Sequence, residues 1–144
     1  MVDNRFSEAL TEARQIDERI KAGNISDKEF SEKPFLGVPF TSKESTYCKG
    51  LSVTFGLKTR LNYKADFDAD YIKAFKKAGG ILLGVTNISQ FNLWPESDNP
   101  IYGLTKNPYD ITRTVGGSAG GEACMLAAAA TPIGLVHVII SKVS

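Results

Sequence analysis

The sequence is poor in cysteine and histidine. Two cysteines, Cys48 and Cys124, among 144 residues exclude a dense disulfide framework and a zinc site built mainly from thiolates. A single histidine, His137, excludes any site that needs two. No apolar run reaches the roughly 18 residues that a membrane-spanning helix requires. No apolar signal segment follows Met1–Arg5. Charge of one sign is not in excess either, since 17 Lys and Arg against 16 Asp and Glu leave +1. Such a balance gives no support for general nucleic-acid binding, which needs a concentrated basic surface. With 42% hydrophobic and 23% charged residues, the composition is that of an ordinary globular chain, and it reads as reduced and cytoplasmic.

What the sequence does have is glycine, 13 residues in all, with a dense run at Gly116-Gly117-Ser118-Ala119-Gly120-Gly121. Upstream of it, Phe6, Ala9, Leu10, Ala13, Ile16 and Ile20 recur at intervals of three and four, which predicts an amphipathic helix that docks on the later core. Gly23-Asn24 is its stop, and residues 24–33 read as a linker or surface loop. Pro34 and Pro39 forbid a helix interior, so Pro34–Phe40 reads as a short strand running into a loop at Lys43. A helix from Asp68 to Ala78, stopped by Gly79-Gly80, leads into Ile81–Thr86, the uninterrupted apolar run of a buried strand. Residues 87–115 are loop-like, with a short helix at Ile88–Phe91. Glu122–Ala130 favours helix, and Ile133–Ile140 is a second buried strand. Helices alternating with apolar strands give an α/β class with a mixed sheet flanked by helices. Too few strands are present to complete such a sheet. The expected division is an N-terminal helix and linker at 1–33 and a partial domain at 34–144.

Several residues are candidates for chemistry. The glycine run precedes a helix, yet it fits neither a phosphate-binding loop, because Glu122 stands where a cation is needed, nor a dinucleotide fingerprint. It is either a tight turn feeding a packed helix or a frame that holds Ser118 in a site. Lys43 is either a solvated surface lysine or, if buried, a base, since burial lowers an amine's pKa. Trp94, Tyr102 and Tyr109 either line an apolar pocket or pin the long loop. Glu44, Glu96 and Asp98 are carboxylates whose mutual geometry the sequence does not fix. His137, between Val136 and Val138, reads as a core histidine. Cys48 and Cys124 lack a local basic partner and are poor nucleophiles.

Three ordered stretches narrow these alternatives. They are Gly37-Val38-Pro39-Phe40-Thr41-Ser42-Lys43-Glu44, Gly80-Ile81-Leu82-Leu83-Gly84-Val85-Thr86-Asn87, and Asn107-Pro108-Tyr109 followed by Arg113-Thr114-Val115 and the glycine run through Glu122. Together they resemble the amidase signature family. Trp94-Pro95-Glu96-Ser97-Asp98-Asn99 looks most like that family's fatty-acid amide hydrolase 2 branch.

The resemblance implies an amide hydrolase with a Ser-Ser-Lys triad, no cofactor and no metal, acting on a small-molecule amide such as a fatty-acid amide. Lys43 matches the family's base. Ser118 matches the bridging serine, which commonly follows a cis peptide bond, with Gly116, Gly117, Gly120 and Gly121 as structural support. In a completed family member the two side chains are expected within hydrogen-bond reach. Trp94 is the candidate for the substrate pocket. The family nucleophile is a second serine preceded by two glycines. Here the corresponding position falls at Lys142, with Ile140 and Ser141 in place of the glycines. Ser141 and Ser144 are close to that position but in the wrong local context. The expectation is therefore a partial, truncated amidase fold without a nucleophile, inactive alone and prone to aggregate through unpaired strand edges. The alternatives are a non-catalytic truncated product or interaction protein, and an amidase for small polar amides. Relatives of the fatty-acid branch often carry an N-terminal membrane anchor, so membrane association is expected of full-length relatives.

Overall fold

The computed structural model describes residues 1–136. Within them, strands β1 (Asp3–Asn4), β2 (Pro39–Lys43), β3 (Ile81–Thr86) and β4 (Ile133–Leu135) form one sheet in the order β1-β3-β2-β4. β2 is parallel to both β3 and β4, and β1 is antiparallel to β3. Helices α1 (Phe6–Lys21), α2 (Asp27–Glu32), α3 (Asp70–Lys77) and α4 (Gly120–Ala127) complete the mixed α/β architecture.

The order follows from local chemistry. Pro39 can begin β2 but could not sit farther inside a central strand, because it donates no ladder hydrogen bond. The chain before it, predicted as strand from Pro34, is turn. β2, α3 and β3 form a crossover unit, and the register brings Lys43 opposite Thr86. Phe40, Ile72, Leu82, Val85, Cys48 and Leu51 form the core of this unit. Phe75 stacks on Phe35 with ring centroids 4.4 Å apart and tilts against Phe40 at 4.7 Å. That packing leaves no room at Gly80, where a Cβ would stand 2.6 Å from the Phe75 ring.

Other elements also differ from expectation. Residues 24–33 contain α2, whose Ser26 side chain accepts a hydrogen bond from the Glu29 amide at 3.2 Å. Ser26-Asp27-Lys28-Glu29 is the serine-to-glutamate spacing of a capped helix start, a signal the polar composition obscured. β1 is only two residues long and polar, so no periodicity marks it. It is held by Asp3, which accepts from the Ser52 amide at 2.8 Å and pairs with Lys64 at 2.5 Å. α3 begins at Asp70 and not Asp68, because the Asp68 carboxylate instead accepts from the Lys49 amide at 2.8 Å and pairs with Lys76 at 2.7 Å.

The predicted α1 spans its expected residues and packs on β3, but only Ala9 is buried. Phe6, Leu10 and Ile20 remain 52%, 51% and 48% exposed. The short helix expected at Ile88–Phe91 is a single 3-10 turn at Gln90–Asn92, with Phe91 and Asn92 at positive φ. His137, Lys142, Ser141, Ser144 and the second half of the strand expected at Ile133–Ile140 lie outside the described residues.

Candidate active site

Lys43 is the last residue of β2, and its side chain is fully buried. Its Nζ lies 2.9 Å from Ser118 Oγ. Burial holds the Lys43 amine below the ordinary lysine range, and the negative charge of Glu122 partly opposes that shift. The Lys43 ammonium donates to Ser118, whereas the neutral amine accepts the Ser118 proton. Burial moves the balance toward the neutral amine, and the charge of Glu122 moves it back. The Gly117–Ser118 peptide bond is cis.

Each glycine near Ser118 has its own reason to be glycine. Gly116 adopts φ +78°, which side chains rarely do. The others answer to close approach. A Cβ at Gly117 would stand 2.7 Å from Ser89 Oγ, and one at Gly120 would stand 2.5 Å from Ser97 Oγ. At Gly121 it would stand 2.5 Å from both the backbone nitrogen and the carbonyl oxygen of Asn87. Gly120 and Gly121 are already helical, so α4 starts two residues before the expected Glu122. Ala119, at the cap position before α4, makes no side-chain cap hydrogen bond. Ser97 supplies one from outside, accepting the Gly120 amide at 2.6 Å.

The long loop after β3 is braced by two asparagines. Asn87 Nδ2 donates to the Gly103 carbonyl at 2.8 Å and Thr105 Oγ1 at 2.9 Å, and its Oδ1 accepts from Asn99 Nδ2 at 2.7 Å. Asn99 also donates to the Ile88 carbonyl and accepts from the Ile101 and Tyr102 amides. The Ser97 amide then donates to the Gly116 carbonyl at 3.0 Å, and the Ser89 amide to the Ser118 carbonyl at 3.3 Å. These contacts carry the brace directly to the cis peptide. Among the described residues, no buried polar side-chain atom lacks a hydrogen-bond partner.

Glu122 is the residue whose place the sequence reading missed. In the sequence it marks a helix start and rules out a phosphate loop, with no sign of its burial. Four positions after Ser118, it is buried, accepting from Thr41 Oγ1 at 2.6 Å and Thr86 Oγ1 at 2.7 Å. Desolvation raises its pKa, while those hydroxyls oppose the rise. The available signal was the alternation of Thr41 with Lys43, which puts both side chains on one face of β2.

The other candidates separate. Glu44 is buried and accepts from the Thr54 and Phe55 amides, so it pins a turn and pairs with neither Glu96 nor Asp98. Burial pushes the Cys48 thiol up to about 12, which removes it as a nucleophile. Trp94 is 60% exposed and lines an open cavity of about 570 Å³ with Phe91, Leu93, Pro100, Gln90, Asp98 and Asn99. The Trp94 carbonyl accepts from Ser89 Oγ at 2.7 Å, next to Gly117. Tyr109 lies apart from that cavity and donates to the Ala127 carbonyl at 2.6 Å, tying the loop to the end of α4. Among the described residues, no three His, Cys, Asp or Glu side chains are placed to hold a metal ion, and no helix is long and apolar enough to cross a membrane.

The Amidase family model matches residues 1–136. The chain belongs to the amidase family. Fatty-acid amide hydrolase 2-A of Danio rerio is 44% identical over 136 residues, covering 94% of this chain and 26% of the relative. Fatty-acid amide hydrolase 2 of Homo sapiens is 43% identical with the same coverage. This amidase chain thus spans about a quarter of the length of the curated relatives it matches. Among solved structures, 6-aminohexanoate cyclic dimer hydrolase complexed with substrate superposes with a TM-score of 0.76 at 29% identity, covering 92% of this chain and 25% of that one. Native peptide amidase from Stenotrophomonas maltophilia superposes with a TM-score of 0.72 at 26% identity, covering 86% and 25%.

Proposed function

We propose that this chain carries the base and relay of a serine amide hydrolase, with Lys43 as general base and Ser118 as the bridging serine. The 2.9 Å contact between a buried lysine amine and a serine hydroxyl supports the reading best. Neutral Lys43 takes the Ser118 proton as Ser118 Oγ takes the proton of a nucleophilic serine hydroxyl. The same path returns a proton to the leaving amine. Glycines 116, 117, 120 and 121 hold Ser118 in place. The nucleophile is the missing member, because Lys142 occupies its family position without the flanking glycines. The 144-residue chain is accordingly inactive alone, and the role of Lys43 and Ser118 is realised when a Gly-Gly-Ser segment is supplied.

The substrate is a fatty-acid or related amide. The open cavity with Phe91, Leu93, Trp94 and Pro100 on its wall suits an apolar acyl group. The fatty-acid amide hydrolases at 43–44% identity support the same choice.

The test joins residues 1–135 to a family C-terminal portion containing the nucleophile segment and compares steady-state kinetics on a long-chain acyl amide. K43A and S118A are expected to lower kcat by about 10²-fold or more with little change in KM. W94A is expected to raise KM. Near-parental kcat in both K43A and S118A would overturn the relay. The unjoined chain is expected to leave a fluorophosphonate probe unreacted, and labelling at a single serine would contradict its inactivity.

A further inference from the structure

Glu122 is buried and titratable, and the proton relay does not use it. Its two carboxylate oxygens are engaged by different strands, Oε2 by Thr41 of β2 and Oε1 by Thr86 of β3. Thr41 precedes Lys43 by two residues on the same strand face, and Thr86 is the register partner of Lys43. β4 closes the third side, where a Cβ at Gly134 would stand 2.3 Å from Glu122 Oε2. The carboxylate therefore clamps the first turn of α4 to the place on the sheet from which Lys43 projects. Ser118 sits just ahead of that turn.

We propose that Glu122 is a positioning residue for the Lys43–Ser118 pair, its carboxylate fixing Ser118 against the strand that carries Lys43. This deepens the relay reading and rests on it. Two features point to positioning over simple packing. The carboxylate joins the strand that bears Lys43 to the helix that follows Ser118, and a charged group in this place is costly unless its contacts repay it. Its charge also bears on the amine, since Glu122 favours the protonated form of Lys43 while burial disfavours it. The titratable groups that face Glu122 are Lys43 on β2 and the Met1 amino terminus, whose charges favour its ionised form, and Cys48 together with Tyr71 on α3, both of which its own charge pushes up.

The experiment needs no turnover. In the 144-residue chain carrying ¹³C-labelled lysine, NMR follows the titration of Lys43, identified by the signal lost in K43A. S118A is expected to move the Lys43 midpoint, because it removes the hydroxyl at the amine. The same S118A change is then made in E122Q, which keeps the side-chain shape and removes the charge and one acceptor. The expected result is that S118A no longer moves Lys43 in that background, because Ser118 is no longer held there. A purely structural role would leave the effect of S118A intact in folded E122Q, and that result overturns the proposal. If E122Q does not fold, T86V decides the matter through the same cycle. A reduced S118A effect supports the clamp, and an unchanged one overturns it. The relay fails separately, if S118A leaves Lys43 unmoved in the parent chain.

Discussion

The surroundings of α4 and those of α1 solve different problems. On the α4 side, polar groups are buried and each is answered: Lys43 by Ser118, Glu122 by two threonines, the start of α4 by Ser97, and the loop by Asn87 and Asn99. On the α1 side the chemistry is apolar and loose. Ala9 is buried, but Phe6 and Leu10 border an open apolar cavity of about 390 Å³ with Pro39, Ile81 and Leu83. The contrast teaches where sequence change is felt. A buried polar network loses several bonds with one substitution, whereas a half-exposed apolar helix loses little at a time.

Four substitutions separate the two regions by their cost. Glu122→Leu should cost the most, about 3 kcal/mol or more in urea unfolding, because it leaves the Thr41 and Thr86 hydroxyls buried without an acceptor. A loss below about 1 kcal/mol would show that the clamp is not integral to the fold. Gly121→Ala should cost about 1–3 kcal/mol, since its Cβ meets the Asn87 backbone, which has no side-chain freedom to yield. Ser97→Ala should cost about 1 kcal/mol, the usual worth of a helix cap, and should appear as faster amide exchange at Gly120. Leu10→Ala should cost least, below about 1 kcal/mol, because half of the side chain is already in water. If Leu10→Ala proved as damaging as Gly121→Ala, the loose character of the α1 side would be wrong.

Much of this architecture was legible in the residues. The stripe from Phe6 to Ile20, the apolar run Ile81–Thr86 and the glycine stops are local signals, and α1 and β3 occupy the expected spans. α2 and β1 were not legible by the same means. α2 depends on one serine cap within a polar stretch, and β1 on tertiary pairing by Asp3. The separation of 75 residues between Lys43 and Ser118 hides their contact from any local reading. Each was a candidate from its own neighbours, the resemblance paired them as base and bridging serine, and their side chains lie 2.9 Å apart. Glu122 was hidden for the opposite reason. Its charge reads as solvent-facing in sequence, and the two threonine hydroxyls, with the nearby positive charges, make its burial tolerable.

The proposed relay requires Lys43 to be a desolvated amine poised to take a proton. The folded chain binds the Lys43 proton less tightly than the unfolded chain does. Lys43 therefore costs stability at neutral pH, and the cost disappears as pH rises past the ordinary lysine range. The most direct measurement is the Lys43 titration itself, by ¹³C NMR of the lysine-labelled 144-residue chain. The predicted result is a midpoint below that of the exposed lysines, with a further response to S118A. A Lys43 signal that titrates together with the surface lysines, indifferent to S118A, would contradict the account.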